Sequence, residues 1–419
     1  MIKLIDKKDI QKLILKRKGS YDDIYADVRN IIDKIKKHGD RALLEFRKLY
    51  DHITDEELIV SKKVLQSAER RLSKTEKEAF RFAIKRVYTF HKQEKKRMVS
   101  SWRFKEGKGI SYGELFTPIE RVGIYVPGGS ASYPSTVIMN VIPALVAGVK
   151  EITMVTPSQD YHVFGVANML GVDKVFLVGG AHAVAALAYG TETIGKVDKI
   201  VGPGNRYVTL AKKLVYGDVG IDMIAGPSEV VVVTDGSVDP SYVAADLMAQ
   251  AEHDVNAMSV LIAHDRAYVK KVDKQIELLN NSMKRKEIIS KSIGQYGFAV
   301  VCDNVEQIMG IVNSIAPEHL ELAVEKPSQY IRFLKHAGAV FLGAYTPEVL
   351  GDYVAGPDHV LPTMGSARFS SGLGIQDFIK RTTLLEVSKQ AFAKLAPYAQ
   401  KIGLLEGLEA HALSIKVRR

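Results

Sequence analysis

Two periodicities divide the chain. From Asp22 to Tyr50, apolar residues recur at intervals of three and four (Ile24, Val28, Ile31, Ile32, Ile35), the spacing that lines one face of an α-helix. Val64, Leu65, Ala68, Leu72, Ala79, Ala83 and Val87 repeat that rhythm among many Lys, Arg and Glu. This predicts an amphipathic helix over 62–97 with its charges in solvent. Residues 1 to about 100 therefore read as mostly helical.

Near Arg121 the rhythm changes. Short β-branched runs, the mark of buried strands, fall at 122–126, 152–156, 174–178, 199–201, 230–234, 259–263, 298–302, 320–324 and 339–342. Helical stretches lie between them, at 135–147, 162–170, 181–188, 205–215, 240–253, 266–280 and 327–336. Such βαβα alternation implies parallel sheets covered by helices on both faces. Two Rossmann-like sheets divided near Gly226-Pro227 suit the pattern better than one sheet of about nine strands. From about Gly374 onward the strand pattern stops and helices are expected again. The expected fold is α/β: two Rossmann-like parallel-sheet domains with helical N-terminal and C-terminal extensions. The division read from the pattern is an extension over 1–20, a discontinuous first domain from 21–124 and 230–373, a second domain over 125–229, and a C-terminal segment over 374–419.

Composition narrows the classes. The chain has 419 residues, 46% hydrophobic and 25% charged, which is ordinary globular usage. No apolar run reaches the roughly 18 residues a membrane span needs. The charged N-terminus lacks the apolar core of a signal peptide, so a cytoplasmic location is expected. The single cysteine, Cys302, rules out an internal disulfide. It ends the apolar run Phe298-Ala-Val-Val-Cys302, so it reads as a buried small residue rather than a nucleophile. The formal charge of +10 gathers in Lys7–Arg17 and Lys62–Arg97. That placement reads as solvated helix faces with a mild attraction for an anionic dinucleotide, and no nucleic-acid partner is expected.

Several clusters carry candidate chemistry. Pro127-Gly128-Gly129-Ser130, Gly179-Gly180-Ala181-His182 and Gly202-Pro203-Gly204-Asn205 each follow a predicted strand. Glycine lets backbone approach a phosphate, and a following helix N-terminus favours an anion. None is a G-x-G-x-x-G fingerprint, but three such loops at strand ends point to a nucleotide site. Gln250-Ala-Glu-His253 ends a predicted helix, where positions three apart share a face about 5–6 Å apart; an amide oxygen and an imidazole can then converge on one metal, or the histidine simply closes a helix end. Ala316-Pro-Glu-His-Leu320 opens a strand, and its adjacent Glu318 and His319 suit acid–base work or a satisfied buried pair. Gly351-Asp352-Tyr353 and Gly356-Pro-Asp-His359 form a polar loop in which Asp352 is a metal candidate and His359 a substrate candidate. Ser228 and Glu229, in Asp222–Glu229, read either as an interdomain turn or as a binding loop in the crevice. Glu406 and His411 look like surface residues of a late helix.

Together these pieces resemble histidinol dehydrogenase from about residue 20 to the end. The matching strings run in family order: Arg121-Val-Gly-Ile-Tyr-Val-Pro-Gly-Gly129, Val178-Gly-Gly180, Lys196–Asn205, Ile221–Glu229, Gln250–His253, Pro317–Leu320, Gly351–Tyr353, His359–Thr363 and Glu406–His411. The resemblance implies one zinc ion per subunit on Gln250, His253, Asp352 and His411, with Glu318 and His319 as the catalytic acid–base pair. It implies NAD contacts at Tyr125 and Asn205, and a further NAD position, ordinarily Gln, is His182 here. Substrate contacts fall on Ser228, His359 and Glu406, with His319 and the metal residues completing that set. The metal and catalytic residues would belong to the first domain, and 125–229 would bind NAD. The family resemblance also implies an intertwined homodimer whose C-terminal segment completes the partner's site, which gives Glu406 and His411 a role.

The reaction so implied is L-histidinol plus two NAD+ to L-histidine through an aldehyde, closing L-histidine biosynthesis; a same-family dehydrogenase for another polar alcohol is the alternative. The substrate's amine and imidazole suit zinc. His319 would take the hydroxyl proton, and Glu318 would activate the water that hydrates the aldehyde. With Cys302 outside every matching motif, a water route is expected rather than a thiohemiacetal.

Overall fold

The computed structural model describes residues 2–10, 21–98, 100–107, 109–128 and 132–419. Gly129 and Ser130 of the first glycine cluster, and residues 11–17 of the first basic stretch, lie outside the described residues.

The strands in chain order are β1 (Lys3–Leu4), β2 (Trp102–Glu106), β3 (Ile110–Pro118), β4 (Arg121–Tyr125), β5 (Glu151–Thr156), β6 (Lys174–Leu177), β7 (Lys199–Val201), β8 (Gly220–Ile221), β9 (Glu229–Thr234), β10 (Met258–Ala263), β11 (Gly297–Val301), β12 (His319–Ala323), β13 (Ala339–Leu342) and β14 (Ile379–Val387). They form three sheets: β6-β5-β4-β7-β8, β1-β11-β10-β9-β12-β13 and β14-β3-β2. The first two are parallel throughout. Their central strands are apolar on both faces: every residue of β9 and β10 is buried, as expected for strands sandwiched between helices. The break between the parallel sheets falls between Ile221 and Glu229, where the Gly226-Pro227 signal placed it.

Two apolar clusters cover the five-stranded sheet. Helices Asp22–Phe46, Gly180–Tyr189 and Arg206–Val215 bury Val28, Ile35, Ala185 and Ala211 on one face. Helices Lys62–Arg71, Lys74–Met98, Pro134–Ala147 and Tyr161–Met169 bury Leu65, Val87, Val141 and Val166 on the other. Residues 22–98 thus share their core with this sheet rather than with 230–373, because their apolar stripes face it. The N-terminal residues are likewise drawn in: β1 pairs with β11, and Ile10 is buried among six-stranded-sheet residues.

Other expectations change in detail. The stretch 62–97 is two helices. Leu72 is extended, and Ser73 and Glu76 form a reciprocal cap in which Ser73 N–H donates to Glu76 and Glu76 N–H donates to Ser73 Oγ. This is the Ser-x-x-Glu signal of a new helix start. The helix expected over 327–336 is only Ser328–Ile331. The C-terminal segment is not wholly helical, since β14 runs nine residues antiparallel to β3 before helices Lys389–Leu405 and Glu409–Lys416. No helix among the described residues is long and apolar enough to cross a membrane.

Candidate active site

The glycine loops collect at the carboxyl edge of the five-stranded sheet. Chain order runs β4-β5-β6 one way and β7-β8 the other, so β4 and β7 flank a topological switch point, where open α/β sheets form a crevice. Gly202 makes the close approach possible. Its φ is +110°, and a Cβ there would lie 2.2 Å from the Tyr125 carbonyl oxygen. Asp222 and Lys212, an ion pair, clamp Gly202 from both sides: Gly202 N–H donates to Asp222 Oδ2 at 2.8 Å, and Lys212 Nζ donates to Gly202 O at 2.9 Å.

The three expected dinucleotide residues lie around this edge, each with an internal duty. Asn205 caps helix Arg206–Val215, its Oδ1 accepting from Tyr207 and Val208 N–H, and its residue surface is exposed. Tyr125 is buried, and its hydroxyl accepts Gly180 N–H at 3.0 Å. His182 faces inward: it is 1% exposed, with Nε2 3.0 Å from Asp51 Oδ2.

The candidate catalytic and metal residues sit instead at the amino edge of the six-stranded sheet. Three local causes put them there. Parallel pairing sets His319 opposite Val230 and Ala339, so β9, β12 and β13 begin together. Ala316, with φ +53°, caps helix Val305–Ile315 and turns the chain into β12. Helix Pro240–Ala251 runs back from β9 and ends at the same edge, two residues before the expected stop. His253 lies in the following turn, its N–H bonded to Gln250 O at 3.3 Å.

Glu318 Oε2 accepts Glu229 N–H at 2.9 Å, which ties the pair to the Ser228–Glu229 peptide. His319 Nδ1 is 3.8 Å from Glu318 Oε2 and 3.5 Å from Glu348 Oε2, while its Nε2 is 3.6 Å from Asp352 Oδ1. Asp352 does not lie in a loop: it occupies helix Glu348–Tyr353, which packs on helix Pro240–Ala251 and brings Asp352 within electrostatic reach of His253. His359 Nδ1 donates to Asp352 O at 2.9 Å, so the histidine expected at the substrate borders the same carboxylate. Thr363 Oγ1 accepts Gly226 N–H and fastens the segment after His359 to the loop before Ser228.

Burial and charge set the protonation of these groups. Burial lifts Glu318 to about 7, against the pull of His319. Burial disfavours a charged His319, but Glu348 and Glu318, with Asp352, outweigh it and raise the imidazole to about 10. Burial alone would lift Asp352, yet the His319 imidazolium holds it below the ordinary carboxyl value. His253 and His359 are both lowered by burial, with Asp352 opposing. The result is an acid–base relay in which Glu318 titrates near neutrality and His319 holds its proton until a cation competes for its carboxylates.

Gln250 carries the best mark of a missing ligand. It is 1% exposed, and neither Oε1 nor Nε2 has a hydrogen-bond partner among the described residues. A buried orphan amide is costly unless something else satisfies it. Gln250, His253 and Asp352 therefore fit a hard or borderline cation. Two expected residues are not brought here. Glu406 and His411 are exposed on the C-terminal helices, where His411 packs beside Gly403. Accordingly, no group of three or more His, Cys, Asp or Glu able to hold a metal occurs within the described residues of one chain.

Sequence reasoning passed over Glu348 and the carboxyls behind it. Glu348 N–H donates to Glu321 Oε1 at 2.6 Å, and Glu321 interacts in turn with Asp246. The available signal was Glu321 itself, a charged residue in the apolar run of β12.

Comparison with known proteins agrees with this geometry. The histidinol dehydrogenase family model matches residues 15–419. The histidinol dehydrogenase of Aquifex aeolicus (strain VF5) is 50% identical over 394 residues, covering 94% of this chain and 92% of that protein. That of Dechloromonas aromatica (strain RCB) is 49% identical over 402 residues, covering 94% and 92%. The crystal structure of histidinol dehydrogenase from Elizabethkingia anophelis superposes with a TM-score of 0.94 at 35% identity, covering 100% of this chain and 98% of that one. The chain belongs to the histidinol dehydrogenase family.

Proposed function

We propose that this chain is a cytoplasmic, zinc- and NAD-dependent histidinol dehydrogenase that oxidises L-histidinol to L-histidine through the aldehyde, closing L-histidine biosynthesis. The observation that carries the reading is the buried, unpartnered Gln250 amide beside His253 and Asp352, next to the Glu318–His319 pair. When bound, zinc would hold the nitrogen-bearing substrate on Gln250, His253, Asp352 and His411, and NAD+ would accept a hydride at each of two oxidations.

The chain's own residues do the rest. Ser228 and His359 flank the pair and orient the polar substrate. His319 accepts the hydroxyl proton in the first oxidation. In the second, Glu318, fixed by Glu229 N–H, takes a proton from the water that hydrates the aldehyde. Tyr125, His182 and Asn205 border the dinucleotide at the switch-point crevice.

The protein works as a homodimer in which Glu406 and His411 complete the neighbour's site. Supporting this, the C-terminal helices present Tyr398, Leu405, Leu413 and Val417 to solvent at 56% exposure or more, an apolar face of the kind that oligomers bury. The test is NADH absorbance with histidinol before and after chelation: two NADH per substrate, abolished by chelation and restored by zinc. One NADH per substrate, or turnover indifferent to chelation, refutes the reading.

A further inference from the structure

The turn after β6 ought to offer its first amides to a phosphate, as helix N-termini do. Here both are already taken. Gly179 N–H donates to Asp51 Oδ2 at 2.8 Å, and Gly180 N–H donates to the Tyr125 hydroxyl. The same Asp51 oxygen receives His182 Nε2–H at 3.0 Å. Asp51 ends the π-helical turn Arg47–Asp51, and its side chain is 6% exposed.

The His182 ring lies 6.0 Å from both Phe46 and Tyr50. Its Nδ1 is buried without a partner among the described residues. A Cβ on Gly180, where φ is +59°, would lie 2.9 Å from that Nδ1. One carboxylate, on a segment from the far end of the chain's first helix, therefore fixes a backbone turn, an imidazole and, through Gly180, the hydroxyl of Tyr125.

We propose that Asp51 is a positioning residue for the dinucleotide half of the site. It shapes the Gly179–Gly180 turn and the Tyr125 and His182 side chains without touching the nucleotide itself, and it occupies the anion position that a phosphate would otherwise take. The inference rests on the reading that Tyr125 and His182 border NAD+. Two consequences follow: the nucleotide's phosphates lie away from this helix end, and NAD+ affinity depends on Asp51 while zinc and histidinol do not. Losing the carboxylate strands two buried donors, Gly179 N–H and His182 Nε2–H, and the turn relaxes.

Equilibrium binding of NAD+ to the zinc-loaded protein, without substrate, is the first measurement. Asp51→Ala weakens binding about tenfold or more. Asp51→Asn recovers most of that loss, since its amide oxygen accepts from Gly179 and its NH2 donates to the other His182 tautomer. Asp51→Ser, too short to bridge both donors, falls between them and serves if the alanine variant does not fold. In steady state the KM for NAD+ rises while zinc content and the KM for histidinol hold. Unchanged NAD+ affinity in the alanine and serine variants overturns the proposal. So does an equal loss of NAD+, zinc and histidinol binding, which marks general packing. Both outcomes leave the assigned reaction standing; wild-type protein that fails to bind NAD+ removes both readings.

Discussion

Glu318 and His319 are neighbours in sequence with different surroundings, and the difference assigns their work. Glu318 points back to the Glu229 amide and titrates near neutrality, as a base for water should. His319 stands among three carboxylates and keeps its proton strongly. Substituting Glu318→Gln keeps the hydrogen bond from Glu229 N–H but removes the base. The first hydride transfer then stays within about fivefold of wild type, while the second slows about a hundredfold or more. Single-turnover NADH traces show this as one fast equivalent followed by a slow one. An equal slowing of both would reassign Glu318. At this scale much of the site was legible, because a motif names a residue type and a position. Direction was not: nothing local to Gly179–His182 says that His182 turns inward, since its partner Asp51 lies 131 positions away.

Three elements meet behind His319: helix Pro240–Ala251 brings Asp246, β12 brings Glu321, and helix Glu348–Tyr353 brings Glu348. Burial raises Asp246 to about 6, Glu348 to about 8, and Glu321 well above its ordinary value. The sign follows from proton counts. Between the ordinary carboxyl range and the raised values, the folded chain holds protons that the unfolded chain has released, so stability falls as pH rises through that window. Chemical denaturation therefore gives a higher midpoint at pH 6 than at pH 8. Glu321→Gln narrows the gap and adds about 1 kcal/mol at pH 8; a gap as wide as wild type would place these carboxyls elsewhere.

Elements with a buried stripe were the ones the pattern found. The antiparallel sheet escaped it because β2 has no buried residue and β14 alternates charged and apolar positions without a core to face. The break at Ser73 was readable from its capping pair, but the apolar rhythm runs on across Leu72 and hides it.

At the scale of the molecule, the candidate site is open on one side. Gln250, His253 and Asp352 gather at one sheet edge, while Glu406 and His411 stand on helices tied to it by β14 and β3. If His411 serves a neighbour, two dead enzymes can repair each other. His411→Asn and His253→Asn proteins, each inactive alone, should on mixing and reassociation give about a quarter of wild-type activity. Half the dimers are then mixed, and each mixed dimer holds one intact site. No recovery after subunit exchange would put His411 in its own chain's site.

The lone thiol has a practical consequence. Cys302 is 1% exposed beneath the six-stranded sheet, its N–H bonded to Ala263 O, and burial pushes its thiol up. It is thus a built-in clock for opening of the fold. An alkylating reagent should modify it only as fast as that sheet breathes, and zinc with histidinol should slow the labelling in step with their occupancy. Fast labelling of the native protein would mean that this edge of the sheet is loose.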